Sequence, residues 1–422
     1  METNRSAAEV LASFAELSRI GATEAGGVER QAATAADGET RAWFRRFASE
    51  RGWSTRVDGI GNLYALVELV PGAPSVYLGS HLDSQPRGGR FDGAYGVLAA
   101  LHAADRLQHR AAAEPGAVAY NLCVVDWFNE EGGRFQPSIM GSSVFAGIMD
   151  REAMLKVTDD DGITVREALA AIGQLGTDEP PTPAAYAEIH IEQGRILERE
   201  GIGFGAVDST WYTQKLDIEV DGEQSHTGAT LMADRHDALY VASRVITMLH
   251  DICDEFEPEA LLSAVGYFTV EPNSPIVVNR YVHMVGDLRS NDPQIVHQAR
   301  DRLVERFAEL ARETEVRITA KDVDIRPKLH YPEAGIELVE KVAADAGVEV
   351  RRMQTMAGHD SVPMNTVVPT VMIFIPSVDG VSHCEREFTR DEDLLTGVDF
   401  LENVVWELLR GRLDGVEPAP RY

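Results

Sequence analysis

The chain has 422 residues, of which 44% are hydrophobic, and this is enough for two domains with their own cores. Its 68 acidic and 39 basic side chains give a net charge of −29, which argues against nucleic acids and anionic membranes as partners. Three scattered cysteines, together with the lack of a signal segment or a long apolar run, predict a cytoplasmic protein.

The first part of the chain predicts two helices and a strand. Apolar residues at helical spacing predict helices over residues 10–17 and 39–51. The segment 59–67 predicts a strand that enters a sheet, and we expect the two helices to cover that sheet.

A histidine and an aspartate follow the next predicted strand, which begins at Val76. With a helix predicted over residues 97–107, His81 and Asp83 fall at the carboxyl edge of an α/β sheet, where ligands usually bind. In such a His-x-Asp step one residue can coordinate a metal while the other fixes its tautomer. Taken alone, His81 fits a simple strand cap equally well.

Two adjacent acids end the following apolar strand, which begins at Asn121. Because neighbouring strand residues point to opposite faces, we expect Glu130 and Glu131 to differ in role: one ligates a metal and the other faces a water. Without a ligand set nearby, such a pair is usually a solvated turn.

The middle of the chain predicts an inserted α+β unit. A capping box, Thr164-Val-Arg-Glu167, starts a helix, and the proline-rich segment 178–183 leads into the strand that carries His190. The elements beyond it predict a sheet with two helices on one face: strands at 215–220, 261–270 and 281–288, and helices at 234–250 and 293–314. The chain then returns to the first domain through a loop at 357–361, a strand at 370–375 and a helix from Asp391.

The chain carries four motifs that belong together: His81-x-Asp83 with Asp92, Glu130-Glu131, His190-Ile-Glu-Gln-Gly and Gly380-Val-Ser-His383. Taken together, these motifs resemble the M20 metallopeptidase clan, and within it the carbamoylase branch of N-carbamoyl-L-amino acid hydrolases, β-ureidopropionases and allantoate amidohydrolases. The resemblance implies an α/β catalytic domain, with a central mixed sheet flanked by helices, at residues 1–212 and 329–422. It implies an inserted α+β lid and dimerisation domain at residues 213–328.

The resemblance also implies a site with two divalent metal ions, most simply Zn²⁺, with Mn²⁺, Co²⁺ or Ni²⁺ compatible with the same donors. The implied metal ligands are His81, Asp92, Glu131, His190 and His383. The implied catalytic residues are Glu130 as general base, Asp83 behind His81, and His226, which would stabilise the oxyanion from the partner subunit of a homodimer.

Substrate contacts are implied at Arg289, Gln193, Gln214, Asn273 and His359, with Arg289 holding a carboxylate through a bidentate fork. From the residues alone, Arg289 fits a surface ion pair, and His226 fits a strand-end histidine that is bonded locally.

The implied activity is hydrolysis of the ureido or amide C–N bond of a small carboxylate, with an N-carbamoyl-L-amino acid as the first expectation. The alternatives are allantoate hydrolysis, an N-acyl-amino acid amidohydrolase or dipeptidase of the same clan, and a silent binding protein on the same fold. Glu130 beside five candidate ligands favours an enzyme. Ile276, Asn279 and Glu385 depart from the branch pattern, which leaves the substrate's side chain open.

Overall fold

The computed structural model describes residues 2–421 and forms two compact units. The first unit combines the chain up to Ser209 with His330–Arg421, and the second is the continuous segment Thr210–Leu329. Within the described residues, no helix is long and apolar enough to cross a membrane.

The strands follow one another along the chain from Ser54 to Ile375. They are β1 Ser54–Val57, β2 Leu63–Val67, β3 Ser75–Ser80, β4 Asn121–Asp126, β5 Pro183–Ile191, β6 Phe204–Thr210, β7 Tyr212–Asp221, β8 Ser225–His226, β9 Leu262–Glu271, β10 Val277–Val278, β11 Tyr281–Ser290, β12 Arg317–Arg326, β13 Val350–Thr355 and β14 Thr370–Ile375.

The helices range from single turns to 22 residues. They are α1 Glu2–Leu17, α2 Ala35–Glu50, α3 Ala94–Ala113, α4 Met140–Phe145, α5 Arg151–Met154, α6 Val165–Ala171, α7 Ile196–Glu200, α8 Ala238–Asp251, α9 Pro293–Thr314, α10 Glu333–Ala346, α11 Ser361–Met364 and α12 Asp391–Leu409.

The first unit is built on an eight-stranded mixed sheet with the order β1-β2-β4-β3-β5-β14-β6-β13. The neighbours β4, β3, β5 and β14 run parallel, whereas β2 and β6 pair antiparallel with β4 and β14. Every residue of β3 and β14 is buried, as expected for strands that are covered on both faces. The predicted central mixed sheet flanked by helices is confirmed.

Helices from both ends of the first unit complete its main core. The buried faces of α3 and α12 share one apolar cluster with β3, β5 and β14. Val10 and Phe14 of α1 and Phe44 and Phe47 of α2 belong to the same cluster. The expectation that the N-terminal helices cover the sheet is therefore confirmed.

The second unit is a four-stranded antiparallel sheet, with the order β12-β7-β11-β9, and two helices. Along β7 and β11, buried residues alternate with half-exposed ones, so that one face of each strand is covered. The covered residues form a cluster with the apolar faces of α8 and α9. This is the predicted α+β arrangement, with β12 as an additional edge strand.

Two predicted boundaries are wrong because side chains cap the backbone there. The strand predicted over residues 59–67 begins only at Leu63, because the Asp58 carboxylate accepts the N–H groups of Ile60 and Asn62 and closes a turn. The helix predicted from residue 234 begins at Ala238, because Asp237 accepts two N–H groups of the first turn and acts as the N-cap.

Candidate metal centre

Two strand ends and the loops beside them bring the predicted ligands of the first unit together. His81 follows the last residue of β3, and His190 is the penultimate residue of β5, the parallel neighbour of β3. Asp92 lies just before α3, separated from it by Gly93. A Cβ at Gly93 would lie 2.3 Å from the His81 ring, so glycine is needed where the loop passes that ring.

Asp92 is shared by two groups of metal-ligating side chains. Its Oδ1 lies 3.1 Å from His190 Nε2 and 3.5 Å from His81 Nε2. Its Oδ2 lies 3.3 Å from His383 Nε2, and the same nitrogen lies 3.3 Å from Glu131 Oε2. The groups are therefore His81, Asp92 and His190 on one side, and Asp92, Glu131 and His383 on the other.

Backbone carbonyls orient the two buried histidines. His81 Nδ1 lies 3.0 Å from the Asp83 carbonyl oxygen, and His190 Nδ1 lies 2.9 Å from the Ile191 carbonyl oxygen. With a proton on each Nδ1, Nε2 faces Asp92, and once Nε2 loses its own proton it offers the lone pair that metal binding by imidazole requires.

The Glu130-Glu131 pair lies in a turn and not, as predicted, at the end of the strand, because β4 stops at Asp126. The turn is held by Asp83, whose two carboxylate oxygens accept the N–H groups of Glu130 at 3.2 Å and Glu131 at 3.3 Å. Glu131 also accepts from the Gln85 amide, while Glu130 Oε2 lies 3.5 Å from His81 Nε2. Glu130 and Glu131 therefore face different histidines, His81 and His383 respectively.

The charge and burial of the candidate ligands favour the binding of cations. Burial, together with the neighbouring carboxylates of Glu131 and Asp92, raises the pKa of Glu130 to about 7 against the opposing effect of His81. Burial likewise disfavours the charged form of Asp92, but hydrogen bonds from three imidazoles hold its pKa well below the usual range. Burial favours a neutral His383, yet Glu131 and Asp92 raise its pKa to about 10. Such a set of buried carboxylates and imidazoles exchanges its protons for metal ions when it binds them, so the residues fit the implied divalent ions.

A second layer of buried polar groups fixes the strand ends. Glu188, fully buried on β5, accepts the Ser80 hydroxyl at 2.7 Å and the Ser361 N–H at 2.7 Å. Asp126, at the end of β4, accepts the Leu82 N–H at 2.9 Å. These hydrogen bonds connect β5 to β3 and α11, and β4 to the segment that follows His81, so they hold in place the elements that carry the candidate ligands.

Two predicted substrate contacts, Gln193 and His359, lie against the candidate ligands. The Gln193 amide donates to Asp92 Oδ2 at 2.7 Å. The His359 ring lies 4.7 Å from the His190 ring, centre to centre, and its Nε2 is 3.1 Å from the Thr355 hydroxyl. Burial and the positive charge of His190 lower the pKa of His359 well below its usual value. The structure thus places both side chains next to the metal ligands.

His226 lies in the second unit, on the short strand β8, which pairs with β10. Its Nδ1 accepts the N–H groups of Gly228 at 2.9 Å and Ala229 at 3.0 Å. A neutral ring held in this way carries its proton on Nε2, on an exposed side chain. The ring is therefore oriented to donate a hydrogen bond from Nε2.

The other predicted substrate residues also lie in the second unit. Arg289 donates to Asp287 from Nε at 3.0 Å and from Nη2 at 2.6 Å, the kind of ion pair that the sequence left open. Gln214 is buried and donates to Asp322 at 2.8 Å. Asn273 is exposed, and its N–H donates to the side chain of Asn279 at 3.0 Å. The side chain of Asn279, one of the residues that depart from the branch pattern, thus orders the loop 273–279.

The sequence analysis did not predict two residues that contact Asp92 or its loop, Ser382 and Glu387. Ser382 Oγ lies 3.1 Å from Asp92 Oδ2, and Glu387 accepts the Asp92 N–H at 3.0 Å. Glu387 is 295 residues from Asp92 in the sequence, so only the fold brings the two together.

The fold, with its two groups of candidate metal ligands, is that of a hydrolase family whose members are generally metal-dependent. Residues 77–407 match the model of peptidase family M20/M25/M40, and the chain belongs to this family. It is a hydrolase of the amidohydrolase type.

Relatives and solved structures cover nearly the whole chain. A protein of Mycolicibacterium smegmatis (strain ATCC 700084 / mc(2)155) named as a hydrolase is 52% identical over 96% of this chain and 94% of its own length. The N-carbamoyl-L-amino-acid amidohydrolase of Rhizobium meliloti is 34% identical over 94% of each chain. The crystal structure of a hydantoinase/carbamoylase family amidase from Burkholderia vietnamiensis has a TM-score of 0.89 and 34% identity, covering 96% of this chain and 97% of its own.

Proposed function

We propose that this protein hydrolyses the ureido C–N bond of an N-carbamoyl-L-amino acid by means of two divalent metal ions. The observation that carries the proposal is the shared position of Asp92, whose two oxygens face two separate groups of ligands. The name of the Rhizobium meliloti relative supports the substrate class.

One ion would be held by His81, Asp92 and His190 and the other by Asp92, Glu131 and His383. Divalent ions at such a site supply Lewis-acid polarisation of a carbonyl and a reactive water near pH 7. The donor set suits Zn²⁺, and Mn²⁺, Co²⁺ and Ni²⁺ also accept these ligands.

Glu130 is the proposed general base, because its buried carboxylate faces the first ligand group at His81. It takes a proton from the attacking water at one carboxylate oxygen and returns that proton to the departing nitrogen. His383 is half exposed, whereas the other four ligands are buried, so solvent reaches the centre from the His383 side.

His226 is the proposed donor to the developing oxyanion, acting from the partner subunit of a homodimer. Its Nδ1 is already used as an acceptor, so Nε2–H is the group offered to the substrate. Large apolar side chains exposed on the second unit support a subunit interface there, among them Leu231, Met232, Tyr240 and Ile276.

Arg289, with Gln214 and Asn273, is the proposed holder of the substrate's carboxylate, and Gln193 and His359 are proposed contacts near the reacting bond. Ile276 is 68% exposed and lies directly before β10, the strand that pairs with the His226 strand β8. Proteins of the carbamoylase branch usually have an asparagine at this position. Since an isoleucine cannot make the hydrogen bonds of an asparagine, we expect the pocket to favour an apolar substrate side chain over a polar one.

The test is a substrate panel on protein that has been dialysed against chelator and then supplied with Zn²⁺, Mn²⁺ or Co²⁺ in turn. N-carbamoyl amino acids and allantoate are assayed by ammonia release, and N-acyl amino acids by amine release. Metal-dependent ammonia from carbamoyl amino acids supports the proposal, whereas ammonia from allantoate alone would replace it with the allantoate reaction. Amine release without ammonia would place the protein among the acylases.

A further inference from the structure

A buried carboxylate outside the predicted ligand set binds the loop that carries Asp92. Glu387 is 4% exposed, and its Oε1 accepts the N–H groups of Phe91 and Asp92, both at 3.0 Å. A Cβ at position 89 would lie 2.0 Å from that oxygen, so the carboxylate occupies the space that Gly89 leaves open.

Glu387 also reaches the side chain of Asp92, through one intermediate residue. Its Oε2 accepts the Ser382 hydroxyl at 2.7 Å, and Ser382 Oγ lies 3.1 Å from Asp92 Oδ2. The amide of Gln193 donates to both Asp92 Oδ2, at 2.7 Å, and Ser382 Oγ, at 3.0 Å. Glu387, Ser382 and Gln193 therefore form one connected network around a single oxygen of Asp92.

The orientation of Asp92 matters more than that of any other candidate ligand, because its two oxygens serve two groups. A rotation that improves one contact worsens the other, since both oxygens belong to one rigid carboxylate. Burying a second carboxylate beside Asp92 is electrostatically unfavourable in the metal-free protein. The three hydrogen bonds that Glu387 accepts, two from the Asp92 loop and one from Ser382, offset that electrostatic cost. The same bonds fix the position of the Asp92 loop.

We propose that Glu387 is a positioning residue that holds Asp92 in the orientation in which it serves both ligand groups. The inference rests on the proposed two-metal function. Because Glu387 accepts from backbone N–H groups and from Ser382, its effect on the metal ions passes through Asp92.

The test measures metal affinity and not turnover. Glu387→Gln keeps the side-chain volume but replaces one acceptor oxygen with a donor. Zn²⁺ dissociation constants, from chelator competition, and the number of ions bound are measured for this variant and for the wild-type protein. We expect Glu387→Gln to weaken binding by roughly 10–100-fold, the usual effect of losing a partner of a metal ligand. The melting temperature of the metal-free protein should change little by comparison.

The matched control is Glu385→Gln, which makes the same change two residues away, where the carboxylate pairs with the exposed Arg87. It should keep wild-type affinity. Ser382→Ala removes only the connecting hydroxyl and should cause a smaller loss, which keeps the test decisive if Glu387→Gln does not fold.

Unchanged affinity in Glu387→Gln, or in Ser382→Ala if that variant alone folds, would overturn the positioning role and leave the two-metal function intact. An equal loss in Glu385→Gln would overturn it as well. A wild-type protein that binds no divalent ion would refute the proposed function itself.

Discussion

Replacing Glu130 with glutamine should have opposite effects on turnover and on the stability of the metal-free protein. The amide has almost the same shape as the carboxylate but cannot take a proton, so the proposed general base is lost. General-base catalysis contributes about 10²–10⁴-fold, or about 3–5 kcal/mol of barrier, and kcat should fall by that factor. The metal content should stay at the wild-type level, because Glu130 is not among the proposed ligands.

The stability effect follows from the environment of the carboxyl group. Burial and neighbouring carboxylates raise the pKa of Glu130 from 4.5 to about 7 in the folded metal-free protein. Between these values the folded state holds a proton that the unfolded state has released, so the free energy of unfolding falls as the pH rises through this window. The loss is about 3 kcal/mol once the pH is above 7. Glu130→Gln has no proton to lose and should keep that stability.

The assay is urea unfolding of chelator-treated protein at about pH 5 and about pH 8, compared between wild type, Glu130→Gln and Glu68→Gln. Glu68 is an exposed carboxylate of the same unit, and its variant should follow the wild-type profile. Identical pH profiles for wild type and Glu130→Gln would refute the electrostatic reasoning. A Glu130→Gln enzyme with near wild-type kcat would separately refute the assignment of the base.

Three further variants test other parts of the structure. Arg289→Ala should raise KM with little change in kcat, because it removes a contact to the substrate's carboxylate. The control is Arg317→Ala, which changes an exposed residue of the same sheet and should alter neither constant. A fall in kcat alone in Arg289→Ala would contradict the proposed role of Arg289. Mixing His226→Ala with Glu130→Gln subunits should restore part of the activity, since one site of the mixed dimer is complete, and no rescue would indicate a site made by one chain. Thr164→Ala removes the N-cap of α6 and should lower the free energy of unfolding by about 1 kcal/mol in urea titrations; an unchanged midpoint would show that the cap is dispensable.

Sequence patterns predicted the structure correctly where a segment's own residues determine its conformation. The apolar run over residues 370–375 predicted β14, and the Thr164 capping box predicted the start of α6. His81 was predicted to follow an apolar strand and His190 to lie on one, and the structure confirms both positions. These features depend on local burial and on local hydrogen bonds.

The features that the sequence did not predict depend on contacts between residues that lie far apart in the chain. The strands β12 and β13 carry many charged residues and are ordered by pairing at the edges of their sheets, so no apolar run marks them. The turn at Glu130 and Glu131 is fixed by Asp83, 47 and 48 residues away in the sequence. The role of Glu387 depends on N–H groups that are nearly 300 residues distant.

The position of β14 has a consequence for the order in which the two units are completed during synthesis. The second unit is one continuous segment that ends at Leu329, so all of its strands have been made before β14 exists. In the first unit, β14 lies between β5 and β6, so both of these strand pairs form only after residues 370–375 have been made. On the ribosome, the second unit can therefore fold while the sheet that carries the candidate ligands is still incomplete. His81, which follows β3, and His190, on β5, are then supported by the full sheet only at the end.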